Sequence, residues 1–202
     1  MKLFYSLLFG LSLFTLKAQE GTLLKGNYTM SFPLSQRDYI SKPSVSGFGF
    51  GFGKMFETDF SLSLELNWNR YYQHEDRNTY YFEGGAVTTE LHKYRYQVPM
   101  VLSLGYTFLQ DWNAIVKPYV GMGIGLNYLA NKIYFSSYQR KEHSTGFLMQ
   151  PKIGAALRLD DDGDFNFFIE STYNYATNHS SELDFKHYSA INVSIGTYLI
   201  IE

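Results

Sequence analysis

The stretch FSLSLELNW, residues 60–68, alternates strictly between apolar and polar side chains. Its polar positions carry serine, glutamate and asparagine, and its apolar positions are Phe60, Leu62, Leu64, Leu66 and Trp68. Successive side chains of a β-strand point to opposite faces of the sheet. The stretch therefore predicts a strand with one wholly apolar face and one polar face.

The same alternation recurs along the chain. Phe48, Phe50 and Phe52, for example, alternate with glycines. Each predicted strand is long enough to cross a bilayer when tilted, which takes about 9–11 residues. An apolar outer face and a polar inner face are typical of membrane barrels, so we predict an all-β fold, an eight-stranded antiparallel up-and-down transmembrane β-barrel. The predicted strands are Thr22–Phe32, Ser44–Lys54, Phe60–Tyr72, Lys93–Phe108, Lys117–Leu129, Gly146–Leu159, Asp164–Ala176 and His187–Ile201.

The start of the chain predicts a signal peptide over residues 1–18. Lys2 supplies the positive charge, Leu3–Leu16 is the apolar segment, and Ala18 is the small residue at the cleavage site. Residues 19–202 then form one outer-membrane β-barrel domain, because no linker or shift in composition divides them. We therefore expect the protein in the cell outer membrane, in contact with its lipid.

The composition argues against a nucleic-acid partner, against disulfides and against a transmembrane helix. Without Lys2 and Lys17, 15 basic residues face 19 acidic ones, and no basic stripe indicates a nucleic-acid partner. The chain has no cysteine, so an exported protein of this kind relies on sheet closure rather than on disulfides. No run of about 18 apolar residues follows the signal segment, so we expect no transmembrane helix.

The connections between the predicted strands alternate in length. Short periplasmic turns and long external loops are the usual asymmetry of outer-membrane barrels. The long connections should therefore lie outside the cell. We expect a monomer with a structural or adhesive role, or one that binds an extracellular ligand or protein, through these loops. The short connections are 55–59, 109–116 and 160–163, and the long ones are 33–43, 73–92, 130–145 and 177–186.

A soluble, lipocalin-like, ligand-binding barrel is the alternative architecture, with apolar side chains inside and polar ones outside. The polar face here is rich in glycine and serine, which suits a narrow interior better than a water-facing surface. Tyrosine and tryptophan also gather near strand ends, as in the aromatic girdles of membrane barrels. The girdle candidates are Trp68, Tyr71, Tyr72, Tyr94, Tyr128, Tyr173 and Tyr175.

Two segments carry a family resemblance. Tyr96–Leu102, with the sequence YQVPMVL, resembles a middle strand of the PorT-like, porin-family outer-membrane β-barrel domains. Lys117–Gly125, with the sequence KPYVGMGIG, resembles the next strand of that family. The resemblance implies an outer-membrane location and carries over no catalytic residue.

Six charged residues fall on the predicted inner face, and charges in a low-dielectric interior must be paired. A lumen of eight strands is about as wide as its own side chains, which favours a structural plug over a solute path and excludes a general-porin channel. We expect Lys152 to pair with Glu170 and Arg95 with Glu65. The six charges are Lys25, Glu65, Arg95, Lys152, Arg158 and Glu170.

The two acids of this plug should each face a glycine across the sheet. Counting back from the turn at residues 160–163 sets Gly154 opposite Glu170, and the turn at 55–59 sets Gly49 opposite Glu65. Glycine in these positions would leave room in the lumen for a basic side chain.

Three patterns suggest other chemistry. The acidic run Asp160–Asp164 could be a calcium-binding loop. A calcium loop spreads its ligands over a longer segment, however, so we expect a polar turn. The five histidines, His74, His92, His143, His179 and His187, all fall on the predicted external side. No pair of them shows metal-ligand spacing on one element, so we predict no metal site and no cofactor.

The third pattern is a histidine two residues before a serine, at His179 and Ser181 and again at His187 and Ser189. Two such residues share a strand face, so the histidine could activate the serine. The pattern weakly resembles that of outer-membrane lipid A deacylase barrels, although the asparagine of that motif is replaced here. We predict no catalytic residue and keep a lipid-modifying enzyme as the alternative function.

Overall fold

The computed structural model describes residues 21–56, 59–82, 85–108, 115–135, 138–158, 165–180, 183 and 185–201. The predicted signal peptide and the Asp160–Asp164 turn lie outside these residues. Within the described part of the chain, no helix is long and apolar enough to cross a membrane.

The strands form one closed barrel in which each pairs antiparallel with its neighbours in the sequence, and the last pairs with the first. The predicted fold is confirmed: closure gives every strand a hydrogen-bonded neighbour on both sides. The strands are β1 (Thr22–Pro33), β2 (Ser44–Met55), β3 (Phe60–Phe82), β4 (Gly85–Thr107), β5 (Val116–Phe135), β6 (Tyr138–Arg158), β7 (Phe165–Ala176) and β8 (Tyr188–Ile201).

Four strands are longer than predicted. The segments expected to be loops at 73–92 and 130–145 continue the ladders of β3–β4 and β5–β6 as long hairpins. Cross-strand polar contacts support this ladder, such as the 2.8 Å hydrogen bond between the hydroxyls of Thr79 and Thr88. Beyond the membrane neither face needs to be apolar, so the alternation that marks the membrane part is absent there. We call the end with these hairpins the external end.

The two faces of the wall differ as predicted. Outward side chains such as Leu64 and Ile153 are 58% and 63% exposed, whereas inward Asn69, Gln97 and Asn127 are fully buried. This arrangement is the reverse of a soluble barrel, and it exposes an apolar band that only lipid covers favourably.

Aromatic side chains ring the outer wall near both ends. Towards the external end, the Trp68 ring lies 5.3 Å from Phe48 and 6.4 Å from Tyr96, measured between centroids. Towards the opposite end, Phe60 and Tyr106 lie 5.0 Å apart. One predicted girdle member is wrong, because Tyr71 points inward and is fully buried.

Candidate functional site

Four charged side chains from four strands meet in the lumen. Lys25 lies on β1, Glu65 on β3, Lys152 on β6 and Glu170 on β7. The ammonium nitrogen Nζ of Lys152 donates to Glu65 Oε1 at 2.6 Å. Nζ of Lys25 lies 3.1 and 3.2 Å from the two carboxylate oxygens of Glu170. We call these four residues the charge quartet.

The quartet is cross-linked as well as paired. Lys25 Nζ lies 3.6 Å from Glu65 Oε2, and Lys152 Nζ lies 3.9 Å from Glu170 Oε2. Two positive and two negative groups therefore alternate around a square that spans the lumen. All four side chains are less than a tenth exposed, so each charge depends on its partners rather than on water.

Neutral groups complete the surroundings of the quartet. The Tyr119 hydroxyl donates to Glu170 Oε2 at 3.0 Å, and the Ser63 hydroxyl donates to Glu65 Oε1 at 3.0 Å. Nζ of Lys25 also lies 4.5 Å from the centre of the Phe168 ring. Buried ions are tolerated when such hydrogen bonds satisfy their remaining atoms.

Glycines on the neighbouring strands make the space for these side chains. Gly154 lies opposite Glu170 as predicted, and the Tyr119 ring covers it. Glu65, however, lies opposite Gly51 and not Gly49. The predicted register is wrong by two residues because the ladder starts at Met55 and Ser61, so the turn is centred one residue later than assumed. Its closing hydrogen bond runs from the Phe56 N–H to the carbonyl of Phe60.

Arg95 does not belong to the quartet, so its predicted pairing with Glu65 is wrong. It lies nearer the external end, where its Nε donates to Asn131 at 2.8 Å and its Nη2 donates to Gln36. Its guanidinium also stands 5.0 Å from the centre of the Tyr39 ring. The contact between Lys152 and Glu170 that we predicted is present, but Glu65 is the closer partner of Lys152. Both predictions left out Lys25, which reaches across the lumen to Glu170 and leaves Lys152 to pair with Glu65. No spacing in the sequence indicates that contact.

Arg158 also stands apart from the quartet. It is the last residue of β6, six positions beyond Lys152, and is only partly buried. A strand rises about 3.3 Å per residue, so the two side chains start roughly 20 Å apart.

The loop 34–43 caps the external mouth of the lumen. Ile40 is fully buried and Tyr39 nearly so, and both pack with Tyr71. The loop turns at Gln36, whose φ of 56° lies in the left-handed region, and the N–H groups of Tyr39 and Ile40 both donate to the Gln36 carbonyl. Burial raises the pKa of the Tyr39 phenol to about 12.

A polar layer occupies the lumen between the cap and the quartet, and it leaves a small cavity of about 10 Å³ beside Glu65 and Glu170. The hydroxyls of Tyr71 and Tyr188 are 2.7 Å apart, and both donate to Oε1 of Gln97, at 3.2 and 3.0 Å. Gln97 in turn donates to Asn127 at 3.1 Å, and Asn127 donates to Asn178 at 2.8 Å. Cap, polar layer and quartet thus occlude the lumen at three heights.

One cavity of about 60 Å³ lies on the side of the quartet away from the cap. Its walls include Leu23, Met55, Thr107 and Tyr198 from the end opposite the hairpins. The cavity stops at Lys25 and Glu65, which belong to its lining. All four quartet residues line it, so the cavity lies directly against the quartet.

The histidine–serine pairs are only partly within the described residues, since Ser181 lies outside them. His187 stacks on the Tyr175 ring at 5.8 Å between centroids, on the outer wall. Ser189 is buried beneath the loop 34–43, and its N–H donates to Oγ of Ser35 at 2.8 Å.

The structure brings together two histidines that the sequence analysis kept apart. His74 and His92 are directly paired across the extended β3–β4 hairpin, and Glu90 lies beside them. The sequence pattern predicts a loop over residues 73–92 and therefore does not pair these two histidines. The runs TYYF and AVTT flanking Glu83–Gly85 were the available hairpin signal. Their pairing alone sets His74 opposite Lys93, and the irregularity between Glu75 and Asn78 shifts the register by one residue, so that His74 meets His92.

A closed antiparallel barrel with an apolar outer wall and a polar, occluded lumen defines the class of small outer-membrane β-barrels. The comparisons with solved structures agree on the fold. The chain is similar to a major outer membrane protein from Thermus thermophilus, with a TM-score of 0.63 at 9% identity over 91% of this chain and 100% of that one. It is also similar to neisserial surface protein A, with a TM-score of 0.53 at 13% identity over 90% of this chain and 97% of that one. No protein-family description matches the sequence, and no curated protein matches it.

Proposed function

We propose that the protein is a sealed outer-membrane scaffold that binds a partner through its external hairpins and carries out no catalysis. The observation that carries the proposal is the charge quartet, which joins opposite walls of the lumen with four buried charges. A solute path would need these pairs to part, and separating buried ions is costly. The surface that remains for function is the external one.

The hairpins offer two surfaces of opposite sign. Residues 73–92 carry four acids and one arginine, whereas residues 130–145 carry three basic residues and one acid. β4 pairs with β5 as far as Leu91 and Phe135, so the two hairpins are joined at their bases in one sheet. Such a pair of patches favours a partner that itself presents both signs of charge, since charge complementarity fixes orientation and speeds encounter.

The predictions about oligomeric state, surroundings and export belong to the same proposal. The protein acts as a monomer embedded in outer-membrane lipid, binds no nucleic acid, and is exported by the predicted signal peptide. Membership of the PorT-like, porin-family barrels rests on the resemblance of Tyr96–Leu102 and Lys117–Gly125.

Planar-bilayer recording tests whether the lumen is sealed. The purified protein should give no stable single-channel steps, and steady conductance steps in the folded wild type would contradict the proposal.

Adherence of cells displaying the protein to immobilised matrix proteins and polysaccharides tests the role of the β3–β4 hairpin. Replacing residues 76–90 by Asn-Gly, which keeps the pairing of Glu75 with Leu91, should abolish adherence while leaving the heat-modifiability of the barrel unchanged. Equal adherence of the trimmed variant would exclude this hairpin as the binding surface.

A lipid-modifying enzyme is the competing function. Mass spectra of membrane lipids from cells with and without the protein should be the same. An altered acyl pattern that disappears in Ser189→Ala or Ser181→Ala would replace the scaffold proposal with the deacylase alternative.

A further inference from the structure

We propose that His74, His92 and Glu90 form a binding site for a divalent late first-row transition metal on the external β3–β4 hairpin. The inference names one ligand for that hairpin and rests on its proposed external position, but not on the seal of the lumen. We call these three residues the hairpin site.

The register of the hairpin brings the two imidazoles together. His74 pairs directly with His92, and directly opposed side chains of an antiparallel pair share one face about 4.5–5.5 Å apart. The rings are 4.9 Å apart between centroids and inclined by only 26°. Two imidazoles at this distance have nitrogens near enough to bind one ion once the rings tilt towards each other.

Glu90 supplies an oxygen at the same point. It lies two residues before His92 on β4, so the two side chains share a face. Its Oε2 lies 3.4 Å from Nε2 of His74. One ligand atom from each of the three residues lies within 4.8 Å of the other two.

That spacing is close to what a metal requires. Ligands bound at about 2.0–2.1 Å in a tetrahedron are roughly 3.4 Å apart, so the side chains must close by up to about 1.4 Å. They are free to do so, because the side chains of His74 and Glu90 are 35% and 55% exposed. Two imidazoles and one carboxylate suit Zn²⁺, Ni²⁺ and Cu²⁺ better than Ca²⁺ or Mg²⁺, which prefer oxygen ligands.

A neighbouring tyrosine orients one of the ligands. The hydroxyl of Tyr72 lies 3.0 Å from Nδ1 of His92, and the two rings stack. When Nδ1 of a metal-binding histidine is held in this way, its Nε2 is left for the metal. Tyr72 is therefore a positioning residue of the hairpin site.

Asp76 adds negative charge beside the site. Its Oδ1 lies 3.9 Å from Nδ1 of His74, next to an irregularity in the ladder between Glu75 and Asn78. Bulges of this kind redirect side chains. Asp76 and Glu90 thus place two carboxylates beside the imidazoles of the hairpin site.

The chain contains a matched control. His143 makes the same kind of contact with a girdle tyrosine, its Nδ1 lying 2.7 Å from the Tyr128 hydroxyl with the rings stacked. Its direct cross-strand partner, however, is Ala130 instead of a second histidine. A histidine–tyrosine stack alone should therefore not bind metal.

Isothermal titration calorimetry tests the inference. ZnCl₂ is titrated into the folded protein in detergent, and the chain carries no polyhistidine tag. We expect one Zn²⁺ per chain. His74→Ala and His92→Ala should each weaken binding more than tenfold, Glu90→Gln and Tyr72→Phe by about tenfold, and His143→Ala not at all. The electron paramagnetic resonance spectrum of the Cu²⁺ form should show coupling to two nitrogens, and to fewer in His92→Ala.

Absence of stoichiometric Zn²⁺ binding to the folded wild type would overturn the inference. So would unchanged affinity in the double variant of His74 and His92. Either result would leave the scaffold proposal standing, because conductance and adherence test that proposal without metal. Conversely, channel activity with an intact Zn²⁺ site would overturn the seal and not the hairpin site.

Discussion

Nζ of Lys152 lies 2.6 Å from Oε1 of Glu65, although the two residues are 87 positions apart and lie on β6 and β3. The contact crosses the lumen instead of following the sheet. Through it the walls of the barrel are tied to each other independently of backbone pairing. The proposed seal of the lumen depends on this contact and on the companion contact of Lys25 with Glu170.

Neutralising one member of the quartet should destabilise the barrel. Glu65→Gln leaves Lys152 and Lys25 with a surplus of buried positive charge, and breaking a buried pair in this way costs about 3–5 kcal/mol. We expect a lower urea midpoint for Glu65→Gln and for Glu170→Gln, measured by tryptophan fluorescence in lipid vesicles. Asp76→Asn, whose side chain is fully exposed, should leave the midpoint unchanged.

A double-mutant cycle should rank the contacts of Glu65. The coupling energy with Lys152, at 2.6 Å, should exceed that with Lys25, at 3.6 Å. Equal midpoints for wild type and all single variants would mean that water reaches these charges. The sealed lumen would then have to be replaced by a wet passage.

Adding a methyl group at Gly154 should disturb the wall beside Glu170. A Cβ there would lie 2.5 Å from Cζ of Tyr119 and 2.6 Å from the backbone oxygen of Ile169. We expect Gly154→Ala to cost about 1–3 kcal/mol in the same urea assay. Gly26→Ala is the control, because no atom lies within 4 Å of its added Cβ, and it should be neutral or slightly stabilising. Equal effects at both positions would contradict the packing described for Tyr119.

Trp68 should report the level of the external girdle. Its side chain is on the outer wall and 44% exposed, next to the rings of Phe48 and Tyr96. In a Trp112→Phe background, bromines near the lipid headgroups should quench its fluorescence more strongly than bromines near the bilayer centre. Leu64→Trp, combined with Trp68→Phe in the same background, places the single tryptophan four residues nearer the centre and should show the opposite order. The same depth for both would contradict the assigned membrane position.

The cap should loosen at alkaline pH. Burial raises the pKa of Tyr39 from its ordinary value near 10 to about 12, so the folded cap holds a proton that an unfolded chain loses earlier. The stabilisation is complete below about pH 10 and is lost as the pH rises through about 12. The difference in ultraviolet absorbance between wild type and Tyr39→Phe should show a phenol ionising near pH 12. A midpoint near 10 would mean that the loop 34–43 is not packed on the mouth.

The fold could be predicted from the sequence because the requirement that produces it is local. Lipid on one side and a narrow lumen on the other impose alternation residue by residue, and FSLSLELNW shows it in nine positions. Outside the membrane that requirement ends, so the hairpin ladders past Tyr72 and Leu129 were predicted as loops.

The sequence by itself determined the barrel, its strand count, the inward placement of Glu65, Lys152 and Glu170, and the separation of apolar and polar faces. Only the tertiary structure decided which charges meet, because long side chains reach across the lumen to strands that no ladder joins to their own. It also decided that Arg95 serves the cap, and that His74 meets His92. Inward or outward direction follows from parity along one strand, whereas partners depend on register and closure, which all eight strands set together.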